Sequence, residues 1–180
     1  MSHDAPDSLF LIVGTNPLPV VIVAEYFLKK NDLLRRIYLF YSEERKDKNQ
    51  SGTYNYALNI EDLLKKHFPE RGLSINRIPL SDVSNAKEIF RDMDKSLKGT
   101  LNRDSKVHLN YTGGTKVMVT HIYRKIEEYK REEKIKKTSS SYLDARTFRI
   151  VDDEEGIITD DLRKEIKFTL DEIIRLHGFR

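Results

Sequence analysis

Short runs of apolar residues alternate along this chain with longer segments in which apolar positions recur every three to four residues. Leu9-Phe10-Leu11-Ile12-Val13 has no polar interruption, the pattern of a strand covered on both faces. Pro19 suits the first turn of a helix that runs to about Lys30, with Thr15 or Asn16 as candidate caps. Ile37-Tyr38-Leu39-Phe40-Tyr41 reads as a second strand, and a polar stretch from Ser42 to Thr53 follows it. A helix over about Tyr54 to His67 is stopped by Pro69 and Gly72, and Leu73–Leu80 contains a third strand. Ser84 is the candidate cap of a helix to about Leu97, ended by Gly99. Val107–Asn110 is the fourth strand, and a long helix runs from Gly114 to about Lys134. Ser140–Leu143 and Thr147–Val151 form a strand pair around Asp144-Ala145-Arg146, and a last helix spans about Asp160 to His177.

The order β-α-β-α-β-α-β-α-β-β predicts an α/β fold: a mostly parallel sheet with helices on both faces, an antiparallel edge strand and a C-terminal helix. Right-handed crossovers favour the strand order 3-2-1-4, which sets the first and fourth strands side by side. In such sheets ligands bind at the carboxyl ends of the strands, where the winding reverses.

At 180 residues the chain is one domain with a real core. It has no cysteine, which excludes a disulfide framework and thiol chemistry and fits a reducing compartment. Its net charge is only +3, with both signs interspersed, so a long nucleic acid is not the expected partner. No run approaches the roughly 20 apolar residues of a membrane helix, and Met1 to Ser8 lacks a signal-peptide pattern. The expected location is cytoplasmic; membrane association would need a segment outside this sequence.

The richest stretch chemically is Asn110-Tyr111-Thr112-Gly113-Gly114-Thr115-Lys116, where a strand ends in two glycines, hydroxyls and a lysine at the start of a helix. Glycines admit close backbone approach, and the first N–H groups of a helix lack partners and carry the positive end of its dipole. Gly14-Thr15-Asn16-Pro17-Leu18-Pro19 is a second turn of this kind. The topology brings the two together, which points to a nucleotide-type ligand. Named nucleotide motifs fail: the Walker pattern needs glycine where Thr115 stands, and the dinucleotide fingerprint needs it at Asn16. His3, His67, His108, His121 and His177 are scattered and read as structural, and no carboxylate stands near the glycine turns. No metal, no cofactor and no certain catalytic residue is therefore expected. Ser42–Gly52 leaves the sheet at the binding edge and is a solvated loop or a lid. Helix one is apolar almost all round at its start, from Val20 to Leu28, and helix four opens with Val117, Met118 and Val119. That excess calls for cover by an identical chain or by the C-terminal helix.

With these two turns so placed, the chain resembles a CARF domain, the CRISPR-associated Rossmann-fold sensor of cyclic oligoadenylates. The resemblance spans about residues 8 to 151 and is closest to the sensor domains of nucleases and related effectors that respond to cyclic tetra-adenylate. It implies a Rossmann-like sensor over 9–151, a tail over 1–8, and a linker and helix over 152–180 that leads to or replaces an effector. It also implies a homodimer holding the ring across its two-fold axis in type III CRISPR antiviral defence. The ligand-binding residues carried over are Gly14, Thr15, Asn16, Pro17, Leu18, Asn110, Thr112, Gly113, Gly114, Thr115 and Lys116. Thr15 stands where many relatives have serine. An attached effector outside this sequence, or a sensor or scavenger acting alone, fits the resemblance equally. The alternative reading is a metal-independent ring nuclease with Thr15 and Lys116 as its candidate catalytic residues.

Overall fold

The computed structural model describes residues 5–179, so residues 1–4 of the expected tail, including His3, lie outside the described residues. The strands are β1 (Ser8–Val13), β2 (Arg36–Ser42), β3 (Ser74–Leu80), β4 (Lys106–Asn110), β5 (Lys137–Asp144), β6 (Arg149–Asp152) and β7 (Gly156–Ile157). The helices are α1 (Leu18–Lys30), α2 (Tyr54–His67), α3 (Ala86–Leu97), α4 (Lys116–Arg131) and α5 (Leu170–Leu176). One sheet takes all the strands in the order β3-β2-β1-β4-β5-β6-β7. Pairing is parallel from β3 through β5 and antiparallel from β5 to β7. The expected 3-2-1-4 order, the antiparallel edge and the Rossmann-like architecture are all present.

The two-residue alternation of β1 sorts the core. Leu9, Leu11 and Val13 face a cluster built with α1, α2 and Leu176 of α5, while Phe10 and Ile12 face one built with α3 and α4. Central strands buried on both faces explain the uninterrupted apolar runs of β1 and β2.

Several boundaries differ from the sequence reading, each for a local reason. The cap of α3 is Asn85, whose side chain accepts the Lys87 N–H at 3.0 Å; Ser84 instead donates its hydroxyl to Asp82 at 2.7 Å. Helix α4 starts at Lys116 because Thr115 caps it, accepting the Met118 N–H at 3.2 Å. Helix α1 has Pro17 at its cap position with no side-chain bond there; Asn16 accepts the Leu18 N–H at 3.3 Å, while Thr15 plays no capping part. The last helix begins at Leu170 and not near Asp160: Thr169 and Glu172 form a capping box that starts it afresh.

The segment before α5 also changes the reading of α1. Leu162 and Ile166 join the buried cluster of α1 and α2, together with Leu176, and Ile22 is only 6% exposed. The apolar excess of helix one is thus covered within the chain by its carboxy-terminal residues. Polar contacts reinforce that packing. His67 at the end of α2 bonds Glu25 of α1 at 2.5 Å and Glu172 of α5 at 2.9 Å. No helix among the described residues is long and apolar enough to cross a membrane.

Candidate functional site

The two glycine turns meet at the carboxyl end of the sheet. Register pairs Leu11 with Asn110, so Ile12 and Val13 run on past the end of β4. The turn after β4 folds back over them. A Cβ on Gly113 would lie 2.0 Å from the Ile12 carbonyl oxygen, and one on Gly14 would lie 2.8 Å from the Gly114 nitrogen. Gly114 also takes φ +80°, a conformation that L side chains rarely adopt. Glycine therefore serves backbone-to-backbone packing here as much as ligand approach.

Asn110 and Thr112 lie beneath the turn and shape it. The buried Asn110 amide donates to the Ser141 hydroxyl at 2.9 Å, and its oxygen accepts the Thr112 N–H at 3.2 Å and the Thr112 hydroxyl at 2.6 Å. The Thr112 oxygen in turn accepts the Leu143 N–H at 2.7 Å. These side chains spend their hydrogen bonds on tying β4 to β5. Pro17 is buried, Leu18 is half-buried, and the exposed Asn16 faces the far end of α5, 3.4 Å from His177 Nε2.

Above the junction lies an open cavity of about 410 Å3, within the range of small-molecule pockets. Gly14, Thr15, Gly114 and Thr115 line it; of the residues expected to bind ligand, these four reach it directly. Its far wall comes from two loops that sequence reasoning assigned no binding residue: 42–53, with Lys48, Asn49 and Gln50, and the segment after β3, with Val83 and Ser84. The first loop is an ordered structure. Arg45 and Gln50 exchange backbone hydrogen bonds at 2.9 Å each, closing a small hairpin around a 3-10 turn at Lys46–Lys48. The Thr53 hydroxyl donates to the Val13 carbonyl at 3.0 Å, which fixes the loop's return over the end of β1. Ser42 and Thr53 are buried polar residues at that closure. Two larger concavities, about 820 Å3 between α2 and α5 and about 710 Å3 beside the carboxyl ends of α3 and α4, are lined by no residue of the two glycine turns.

Charge is arranged asymmetrically around the cavity. Lys116 is exposed at the first position of α4 and has no ion-pair partner among the described residues. It adds to the positive helix end beside Gly114 and Thr115. Lys48, from the 42–53 loop, also lines the cavity and pairs with the buried Asp82, whose carboxyl Lys48 and Ser84 together hold down to about 2.

Among the described residues, no histidine lines the cavity. His108 is buried between two hydroxyls, its ring nitrogens 2.8 Å from Ser139 and from Ser141, and burial pushes it down to about 4. It stays neutral in the folded protein while an unfolded histidine protonates below about 6.5. Stability from this residue is therefore present near pH 7 and is lost as the pH falls from about 6.5 towards 4. The gap corresponds to about 3 kcal/mol. His67 works in the opposite sense: burial opposes its charge, but Glu172 and Glu25 outweigh that and raise it, so its contribution is lost as the pH rises. In urea unfolding, His108→Gln is expected to reduce the loss of stability between about pH 7 and pH 4 by about 3 kcal/mol. An unchanged pH slope would contradict a neutral buried imidazole.

No protein-family model and no curated relative matches the chain. Solved structures do. A type III CRISPR defence DNA nuclease activated by cyclic oligoadenylate is similar at 18% identity and a TM-score of 0.61, over 97% of this chain and 24% of the nuclease. Protein VC1899 from Vibrio cholerae is similar at 12% identity and a TM-score of 0.55, over 82% of this chain and 33% of that protein. The likeness is one of fold. The chain spans a quarter to a third of the length of these two proteins.

Proposed function

We propose that this chain is a CARF-type sensor that binds a cyclic oligoadenylate, most specifically cyclic tetra-adenylate, and serves type III CRISPR antiviral defence. The observation that carries this reading is the junction of the two glycine turns, which opens a cavity between the start of α4 and the 42–53 hairpin. The fold shared with a cyclic-oligoadenylate-activated nuclease supports it. Four phosphates in a ring suit two copies of the chain, each offering one α4 terminus and one Lys116 to half of the ligand. For the second copy, α4 presents Val117, 39% exposed, beside the half-buried Val119; the α1 face is already covered. Residues 9–151 form the sensor; within 152–180, β7 extends its sheet and Leu162, Ile166 and Leu176 join its buried cluster, so that this segment packs on the sensor. A receptor is the preferred reading over the alternative, a metal-independent ring nuclease acting through Thr15 and Lys116, because the residues lining the cavity include no histidine and no carboxylate to accept a 2′-hydroxyl proton.

Calorimetric titration with cyclic and linear oligoadenylates tests the proposal. The expected result is one cyclic tetra-adenylate per two chains, with the linear form much weaker and the ring recovered intact. Failure to bind any cyclic oligoadenylate would overturn it.

A further inference from the structure

We infer that Lys48 is a second cation for the ligand of this cavity, and that the buried Asp82 is an internal counter-ion competing for it. The inference rests on the reading of the cavity as a site for an anionic ligand. Lys48 lines the same cavity as Gly114 and Thr115, so an anion held there is within reach of both the α4 terminus and this ammonium. An ammonium has three donors, and Asp82 is the one protein partner of Lys48 among the described residues. Its side chain is still 43% exposed and lines the cavity, whereas the Asp82 carboxylate is 3% exposed and is not among the lining residues.

The hairpin does not need this ion pair to hold its shape. Arg45 and Gln50 close it through their backbones, Gln50 donates to the Glu43 carbonyl at 2.6 Å, and the Gln50 side-chain oxygen accepts the Val83 N–H at 2.9 Å. Asp82 likewise has its own anchors, accepting the Ser84 N–H at 3.0 Å and the Ser84 hydroxyl at 2.7 Å. The pair is thus superfluous as a fastening, yet it keeps a lysine folded against the cavity wall. A ligand phosphate shares or takes the ammonium, and Asp82 then relies on Ser84 alone. Since a buried carboxylate that loses its cation is penalised, Asp82 weakens the ligand's hold.

The two partners therefore predict effects of opposite sign. In titrations with cyclic tetra-adenylate, Lys48→Gln should weaken binding about ten- to a hundredfold, and Lys48→Arg should restore most of it. Asp82→Asn, which keeps the size and the Ser84 contacts but releases the lysine, should tighten binding by about three- to tenfold. Thermal melts of each variant confirm that the domain is folded. If both Lys48→Gln and Asp82→Asn weaken binding alike, the pair is a structural clasp and the inference fails; it fails equally if Lys48→Gln leaves affinity unchanged. In either case wild-type binding leaves the sensor reading intact, whereas a wild-type protein that binds no ring overturns both.

Discussion

Gly113→Ala is expected to destabilise the protein by about 3 kcal/mol, the upper end of what overpacking costs. The added methyl would sit 2.0 Å from the Ile12 carbonyl oxygen, a backbone atom of a central buried strand that cannot swing aside. The turn must lift away from β1, breaking the contact of Gly14 with Gly114 and disturbing the Asn110 and Thr112 bonds beneath it. Gly99→Ala is the control: Gly99 has a positive φ, +75°, where Gly113 does not, and nothing lies within 4 Å of its added methyl, so only the backbone penalty of about 1 kcal/mol applies. Urea unfolding of both variants measures the difference. Equal losses would show that the strand-to-turn contact is not what demands glycine at Gly113.

Lys116→Ala is expected to act the other way round, leaving stability unchanged and abolishing most ligand affinity. Lys116 is exposed and unpaired among the described residues, so its removal orphans no buried group. In a two-fold complex the substitution removes two charge-assisted contact sets, each worth about 1.5–3 kcal/mol. The combined loss of about 3–6 kcal/mol corresponds to a hundred- to ten-thousandfold in affinity for cyclic tetra-adenylate. Calorimetry with the variant, beside a thermal melt, reads both quantities. An affinity within about threefold of wild type would remove Lys116 from the site.

Much of the fold was legible because its signals are local and repeated. The apolar runs of β1 and β2, the glycine stops and the handedness of the crossovers together predict that β1 and β4 are neighbours, and they are. The turns on those strands stand out by residue type, and the topology brings them together. What was not legible depends on contacts distant in sequence. Leu162 and Ile166 have helical spacing, and Ile166 does donate its N–H to Leu162 at 2.8 Å. That single turn then stops, because both side chains are used to cover α1 and α2 and the capping box at Thr169 restarts the helix. Asn110 reads like a ligand contact, but its side chain turns inward to Ser141 on a strand 31 residues away. The far wall of the cavity was hidden for a similar reason. A charged stretch such as Glu43–Lys48 has no periodicity, and its order comes from long-range bonds of Gln50 and Thr53 to other strands and loops. The partner of Lys48 lies 34 residues away in sequence.

The two margins of the sheet bear on how copies of the chain meet. One margin, β7, is two residues long, and the other, β3, carries Pro79, which has no N–H to offer, along with Asn76 and the ion-paired Arg77. Neither presents the long, flat row of free donors and acceptors on which a strand of another molecule adds itself. Docking edge to edge into a continuous intermolecular sheet is therefore blocked at both ends. In the proposed dimer, contact between copies is then left to helical faces, and it closes at two only if the same face is used by both.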